Sequence, residues 1–213
     1  MSVATILDHE AFMLVLSSPS GAGKTALANK LVEYDKNFVL SISATTRPPR
    51  EGEVDGLDYF FVDDKSFEFL ISNNKLLEHA RVFSHRYGTI SENIYKYLAK
   101  GKDVLFDIDW QGAEKLKKNE ELFSQLVTVF ILPPSILELE KRLKHRALDS
   151  QKTVQKRLDG AEKDISHWKS YDYVLINDDF EKCFKKLCSI VDAERLKRKR
   201  QVGISKFVES LFK

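Results

Sequence analysis

The sequence is poor in cysteine, which limits how its fold can be stabilised. Its 213 residues include only two cysteines, Cys183 and Cys188. They lie five residues apart within a helical pattern, roughly 7.5 Å along a helix axis, which is too far for an unstrained disulfide. Free, structural thiols are typical of a reducing compartment, so we predict a cytoplasmic protein without disulfides.

Long apolar runs and a basic leader are also missing. No apolar run approaches the ~18 residues of a membrane span, so we expect no membrane partner. The first eleven residues include Asp8, His9 and Glu10 but no basic segment. We therefore interpret residues 1–11 as an N-terminal extension rather than a secretory signal. The sequence also contains no internal repeat and no low-complexity linker.

A large excess of one charge is absent too. The chain has 34 Lys and Arg against 32 Asp and Glu, a net charge of +2. This balance gives no reason to expect nucleic acid as a main partner. The one strongly basic stretch, residues 195–200, we interpret as a frayed helix end, with contact to a polyanion as the alternative. The sequence leaves the oligomeric state open.

What the sequence does contain is a strand, a small-residue loop and a helix in the order of a phosphate-binding loop. Residues 12–16 are apolar and residues 26–31 favour helix. In such a loop glycines turn backbone N–H groups toward an anion, and a lysine reaches the outer phosphates. The full motif would have glycine at position 18, where this chain has Ser18; an ordinary turn is the alternative. We predict that ATP contacts Ser18, Pro19, Ser20, Gly21, Ala22, Gly23, Lys24 and Thr25.

A second informative stretch is the apolar segment 103–107, which ends in Asp107. Ligands of parallel α/β sheets bind beyond the carboxyl ends of the strands, so Asp107 is placed to hold a metal ion beside the phosphate loop. Together with the Thr25 hydroxyl it predicts a Mg²⁺ site. Asp109 lies on the same side by alternation, although capping of the following helix is a strong alternative for it.

Three further features leave alternatives open. The tandem prolines 48 and 49 stiffen the backbone between Arg47 and Arg50, which could clamp a phosphate or lie in a solvated loop. Glu78 stands among apolar neighbours and either faces solvent or points into a pocket. The remaining pattern predicts strands at 38–42, 58–62, 76–83, 126–132 and 171–177, and helices at 66–71, 91–98, within 135–169 and from 180 to 196.

Several blocks resemble guanylate kinases of the bacterial type. The most specific are T-T-R-P-P-R-E-G-E at 45–53 and D-I-D-W-Q-G at 107–112, joined by L-E-H-A, Y-G-T and N-D-D blocks in the family's order. The resemblance implies an α/β fold with a P-loop NTPase-type parallel sheet core flanked by helices. It implies a core of residues 12–42, 91–133 and 170–213, an inserted GMP-binding subdomain at 43–90 and a helical lid at 134–169.

The resemblance also implies the activity and the roles of particular residues. The expected reaction is phosphoryl transfer from ATP to GMP with Mg²⁺, giving ADP and GDP. The lid carries Ala147 where the family often has glycine. The expected GMP site is Ser43, Arg47, Arg50, Tyr59, Glu78, Tyr87, Thr89 and Asp109, the expected catalytic cations are Lys24, Arg47, Arg142, Arg146 and Arg157, and Asn177 joins the ATP site.

This reaction needs no catalytic base, because a phosphomonoester with a second pKa of about 6 is already largely ionised at neutral pH. Positioning and charge neutralisation remain, which suits a site built from cations. Two alternatives are a non-catalytic module that binds phosphorylated peptides and a kinase for another nucleoside monophosphate. Carboxylates at Glu78 and Asp109 favour guanine, whose N1 and N2 groups donate hydrogen bonds, and Ser43 and Thr89 are expected to donate to its O6.

Overall fold

The fold consists of two sheets and the helices around them. A computed structural model describes residues 8–82, 84–145 and 151–212. Within these residues the strands are β1 (Met13–Ser17), β2 (Phe38–Leu40), β3 (Ser43–Thr45), β4 (Phe60–Phe61), β5 (Leu76–Val82), β6 (His85–Ile90), β7 (Asp103–Asp107), β8 (Leu126–Leu132) and β9 (Tyr173–Ile176).

Helices pack against both faces of the larger sheet. Two short 3₁₀ turns, His167–Ser170 and Arg198–Arg200, follow the longest helices. The α-helices of the described residues are α1 (Lys24–Tyr34), α2 (Asp64–Ser72), α3 (Ser91–Ala99), α4 (Trp110–Lys117), α5 (Glu120–Phe123), α6 (Ile136–His145), α7 (Gln151–Ser166), α8 (Phe180–Leu196) and α9 (Ile204–Ser210).

The larger sheet is parallel, with strand order β2-β7-β1-β8-β9. Its central strand β1 is buried along its whole length, because alternate side chains enter cores on opposite faces. Leu14 and Leu16 pack with side chains of α1 and α8, whereas Met13 and Val15 pack with those of α3 and α4. The predicted fold class, a parallel α/β core flanked by helices, is confirmed.

The smaller sheet has the order β4-β3-β6-β5 and mixes parallel and antiparallel pairs. The strand predicted at 38–42 ends two residues earlier than expected, and the next strand belongs to this smaller sheet. β2 ends at Leu40, the amide of Ser41 still bonds to Leu105 at 2.8 Å, and β3 begins in the other sheet at Ser43. The smaller sheet lies within the predicted acceptor segment 43–90; the division into subdomains stays a prediction.

The basic stretch at 195–200 is not a frayed end, and that interpretation is wrong. The Arg195 guanidinium lies 2.6 Å from Asp35 and 2.6 Å from the buried Asp103. Arg200 is 2% exposed, and its carbonyl accepts a hydrogen bond from the Glu10 amide. Neighbouring carboxylates and packing therefore hold two of the basic side chains within the fold. No helix of the described residues is long and apolar enough to cross a membrane.

Candidate active site

The phosphate loop connects β1 to α1 and depends on two glycines. Gly21 and Gly23 have φ angles of +92° and +96°, a region in which side-chain-bearing residues are strained. Ser18, which replaces the first glycine of the motif, has no such angle, since Asn74 is the only described non-glycine residue with positive φ. Its hydroxyl donates to the Pro19 carbonyl at 2.9 Å. The missing glycine is therefore compatible with the loop.

Neighbouring side chains pack tightly against this loop. A Cβ atom on Gly23 would lie 2.4 Å from the amide nitrogen of Asn177, and one on Gly21 would lie 2.9 Å from Leu143. The same Asn177 nitrogen donates to the Ala22 carbonyl at 2.8 Å. Asn177, expected in the ATP site, is buried and does not line the cleft, so it contacts the loop backbone and stabilises the loop's shape.

Lys24, Thr25 and Asp107 form one group at the carboxyl ends of adjacent strands. β1 and β7 pair in parallel, with Leu16 opposite Asp107, so the loop and this carboxylate reach the same edge of the sheet. The Lys24 ammonium lies 2.7 Å from Asp107 and donates to the Ile108 carbonyl at 2.7 Å. The Thr25 hydroxyl donates to the other Asp107 oxygen at 2.7 Å.

This group fits a Mg²⁺ ion in its donor chemistry. A hydroxyl and a carboxylate oxygen are hard ligands, and Mg²⁺ in kinases takes one or two protein ligands together with phosphates and water. The Asp107 side chain is 20% exposed, so it can be reached from the cleft. Among the described residues no cluster of three or more His, Cys, Asp or Glu side chains offers an all-protein metal site. Thr25 and Asp107 would thus share the ion with a phosphate ligand.

A cleft of about 370 Å³ opens beside this group and brings three parts of the chain together. The phosphate loop and β7 form one wall, the smaller sheet forms another, and α7 contributes a third. Predicted site residues that line the cleft are Ser18, Pro19, Ser20, Gly21, Gly23, Lys24, Thr25, Ser43, Tyr59, Glu78, Tyr87, Asp107, Asp109 and Arg157.

Glu78 is a buried carboxylate that lines the cleft. Of the two alternatives predicted for it, it points into a pocket rather than toward solvent. Its residue is 5% exposed, and the pairing of β5 with β6 sets it opposite Thr89. The Thr89 hydroxyl donates to Glu78 at 2.7 Å. Burial raises the pKa of Glu78 to about 7, while the Thr89 hydrogen bond partly opposes the rise. Thr89 therefore orients this carboxylate, which corrects the expectation that it donates to guanine O6.

Gly112 leaves the room that the Glu78 carboxylate occupies. A Cβ atom at Gly112 would lie 2.7 Å from one Glu78 oxygen, closer than real Cβ contacts. Asp109 is the N-cap of α4 and accepts a hydrogen bond from the Gly112 amide at 3.0 Å. The capping alternative for Asp109 is therefore correct, and the capped side chain still lines the cleft beside Glu78.

Arg47 and Arg50 do not form the expected pair in the cleft wall. The Arg47 guanidinium makes two hydrogen bonds to Glu53, at 2.9 and 2.7 Å, and lies 5.2 Å from the Tyr59 ring. The hydrogen bond from Arg47 lowers the pKa of Glu53. Arg50 is exposed, and neither arginine is among the residues that line the cleft. The Tyr59 and Tyr87 rings lie 5.9 Å apart in the wall, and burial raises the pKa of Tyr59 to about 12.

The three predicted lid arginines have different outcomes. Arg157, on α7, lines the cleft. Arg142, on α6, bonds to Glu138 at 3.1 Å and donates to the Asn177 carbonyl at 3.1 Å, away from the cleft lining. Arg146 and Ala147 lie outside the described residues, so the catalytic role of Arg146 stays a prediction.

Comparison with known proteins decides the family. A family model for guanylate kinase matches residues 11–194. The chain belongs to the guanylate kinase family. It is 48% identical over 213 residues to the guanylate kinase of Sphingopyxis alaskensis, an alignment that covers 100% of this chain and 96% of that protein. It is 49% identical to the guanylate kinase of Zymomonas mobilis, with 96% of this chain and 94% of that protein covered.

A solved structure supports the same assignment. The crystal structure of guanylate kinase from Anaplasma phagocytophilum matches with a TM-score of 0.80 and 42% identity, over 97% of this chain and 98% of that one. The resemblance predicted from the sequence blocks is therefore confirmed.

Nine cleft residues of this guanylate kinase family chain were not predicted as site residues: Trp110, Gln111, Lys163 and Asp164, together with Gly160, Ile108 and the β5 residues Ala80, Arg81 and Val82. The first two belong to the D-I-D-W-Q-G block and follow Asp109 directly. Lys163 and Asp164 lie six and seven residues after Arg157 on α7, and only the seven-residue spacing returns to the same helix face. Helical periodicity counted from Arg157 would have found Gly160 and Asp164 but not Lys163.

Proposed function

We propose that this chain transfers the γ-phosphoryl group of ATP to GMP, giving ADP and GDP. The observation that carries the proposal is one cleft that joins a phosphate loop bearing Lys24 to a buried carboxylate, Glu78. The loop suits a nucleoside triphosphate, and the carboxylate suits the N–H edge of guanine. The family's name and the near-complete alignment with its members support the same reaction.

The donor side of the proposed site supplies positive charge. Lys24 reaches the β- and γ-phosphates, and the backbone amides around Gly21 and Gly23 surround the anion. Thr25 and Asp107 would hold Mg²⁺, which would add positive charge beside the phosphates. Arg157 approaches the transferred group from α7. Since the GMP phosphate is already ionised near neutral pH, these groups act by positioning and by electrostatic stabilisation.

The acceptor side of the proposed site recognises the base. Glu78 accepts hydrogen bonds from N1 and N2 of guanine, while adenine would present a lone pair to the same carboxylate. Asp109 adds a second acceptor beside it, and Ser43 lies in the same wall. Arg47, fixed by Glu53 next to Tyr59, is ordered in advance beside the tyrosines that would contact the GMP phosphate.

Two other functions fit the site less well. A phosphopeptide-binding module would not need an intact ATP-binding loop, whereas here Lys24 and Thr25 of that loop both contact Asp107. A kinase for another nucleoside monophosphate has no use for a buried carboxylate at Glu78. A cytoplasmic location belongs to the proposal, since both cysteines are free thiols.

The test is a steady-state assay of ADP release with ATP, Mg²⁺ and each of GMP, AMP, CMP and UMP. We expect turnover with GMP and at least about 10²-fold lower kcat/KM with the others. Lys24→Ala protein, purified in parallel, controls for a contaminating kinase. Equal turnover of several monophosphates, or none with any of them, would contradict the proposal.

A further inference from the structure

The indole of Trp110 joins the helix behind the acceptor site to the helix that carries Arg157. Trp110 is the first residue of α4 and follows Asp109 directly. Its ring stacks on His167, with ring centroids 3.6 Å apart and an angle of 12° between the planes. His167 begins the 3₁₀ turn that continues α7. One aromatic stack therefore connects the base-recognition region to the end of α7.

Two polar contacts reinforce this stack. The Trp110 indole N–H donates to Asp164 at 3.1 Å. On the other ring, Nδ1 of His167 lies 3.1 Å from a carboxylate oxygen of Glu114, one turn further along α4. Two side chains from α4 thus bind two side chains from α7 and its turn. We call Trp110, Glu114, Asp164 and His167 the Trp110 clamp.

The clamp residue Asp164 and Arg157 lie on one face of α7. Arg157 precedes Asp164 by seven residues, close to two helical turns, so both side chains leave α7 on the same face. Both line the cleft. Because Asp164 is held by Trp110, rotation of α7 about its axis would break the indole hydrogen bond at the same time as it turned Arg157 away from the cleft.

Trp110 is not arranged to bind the substrate base by stacking. His167 covers one face of the indole, the N–H group is bonded to Asp164, and the Lys163 ammonium lies 5.3 Å from the ring centroid. One ring face and the N–H group of this cleft-lining indole are therefore already engaged by α7 and its turn.

We propose that Trp110 is a positioning residue, which acts through the clamp to hold α7 against α4 so that Arg157 faces the transferred phosphoryl group. The kinetic part of this proposal rests on the proposed function. Loss of the clamp should lower kcat more than it changes substrate binding, because a misplaced arginine stabilises the transition state less.

The experiment compares Trp110→Leu, which removes stack and hydrogen bond, with Trp110→Phe, which keeps an aromatic ring. Trp168→Phe is the matched control, since Trp168 is adjacent to His167 and 42% exposed but lies outside the clamp. The readouts are kcat, the KM for GMP, and amide hydrogen exchange of residues 154–166. The exchange measurement reports the local stability of α7, so it tests the clamp even if ATP and GMP are not the substrates.

We expect Trp110→Leu to lower kcat about tenfold, with the KM for GMP within about threefold of wild type, and to speed exchange in α7. Trp110→Phe keeps the stack on His167 but loses the hydrogen bond to Asp164, so its changes in kcat and exchange should be smaller than those of Trp110→Leu but not absent. Trp168→Phe should match wild type. Unchanged exchange in Trp110→Leu, or a rise in GMP KM without a fall in kcat, would overturn the proposal.

If Trp110→Leu does not fold, Asp164→Ala and His167→Ala test the same clamp from α7 and its turn. Each should speed exchange in α7 and lower kcat by about threefold or more. If neither changes the exchange of α7, the clamp does not hold the helix and the proposal fails.

Discussion

The two ends of the cleft are built in different ways from the same chain. The phosphate loop is continuous, and its shape depends on two glycines with positive φ within three residues of each other. The acceptor wall takes Ser43, Tyr59, Glu78 and Tyr87 from separate segments of the smaller sheet and its connections. The loop therefore follows from local backbone rules, whereas the acceptor wall requires the correct strand register.

The two ends also differ in charge. Lys24 at the loop is paired with Asp107 at 2.7 Å, so its ammonium is ordered before a phosphate arrives. Within the described ranges Glu78 forms no salt bridge and relies on the Thr89 hydroxyl, and burial holds its pKa near 7. A paired cation suits an anion in water-accessible surroundings. A desolvated carboxylate needs hydrogen-bond donors, which N1 and N2 of guanine supply, and this supports the assignment of the two ends.

The sharpest test of the donor end is Lys24→Ala. We expect kcat to fall by at least about 10³-fold, about 4 kcal/mol, because the cation on the outer phosphates is lost. The melting temperature should stay near that of wild type. Lys30→Ala, a lysine of the same helix paired with Glu181, serves as the matched control and should retain activity. Wild-type kcat in Lys24→Ala would remove the phosphate-loop assignment.

The corresponding test of the acceptor end is Glu78→Gln. We expect kcat/KM for GMP to fall by about 10²-fold, roughly 2.7 kcal/mol, because the N–H donors of guanine lose a charged acceptor. The KM for ATP should stay nearly unchanged. Asp109→Asn should act in the same direction. Full GMP preference in Glu78→Gln would move base recognition to other groups.

Glu78 should also make stability depend on pH. Its folded pKa of about 7 exceeds the ordinary 4.5, so its contribution to the free energy of unfolding is fully present below about pH 4.5 and is lost as pH rises through about 7. Glu78→Gln removes this dependence. The variant should therefore gain melting temperature relative to wild type at pH 8 but not at pH 4.5, while wild-type kcat/KM for GMP rises through pH 7. If the difference in melting temperature between the variant and wild type is the same at both pH values, the buried-carboxylate interpretation is contradicted.

A smaller effect is expected from Gly112→Ala. The added methyl group would lie 2.7 Å from Glu78 and displace its carboxylate, so the KM for GMP should rise about tenfold. Gly160→Ala provides a stability control in α7, where a methyl group meets nothing within 4 Å and helix propensity should raise the melting temperature. An unchanged GMP KM in Gly112→Ala would show that Glu78 does not need this space.

The smallest kinetic effect is expected at the opposite end of β7. Asp103 is fully buried and contacts Arg195 at 2.6 Å and His9 at 2.9 Å. Asp103→Asn should cost about 3 kcal/mol of stability, roughly 6 to 12 °C in Tm, and leave kcat and both KM values within about twofold. Asp192→Asn, the same change at an exposed position of α8, controls for the substitution itself. A large loss of kcat in folded Asp103→Asn would contradict this expectation. It would show that the buried charge at the start of β7 affects the site at the other end of the strand.

The sequence by itself determined the phosphate loop, the parallel α/β class and the family. Gly21, Gly23 and Lys24 act within one turn of chain, and the continuous apolar run of β1 spans only five residues, so no distant partner is needed to interpret them. The D-I-D-W-Q-G block placed Asp107 and Asp109 at a strand end and a helix start, where the structure has them.

Only the tertiary structure decided which distant side chains meet. The end of β2 at Leu40 depends on where the chain leaves its pairing with β7, and Arg47 turns to Glu53 instead of the cleft. Trp110 and Asp164 are 54 residues apart, and Arg195 and Asp103 are 92 apart, so sheet order and helix packing bring them together. Local propensity acts over a few residues and cannot choose such partners, because their contact exists only once both sheets and their helices have packed.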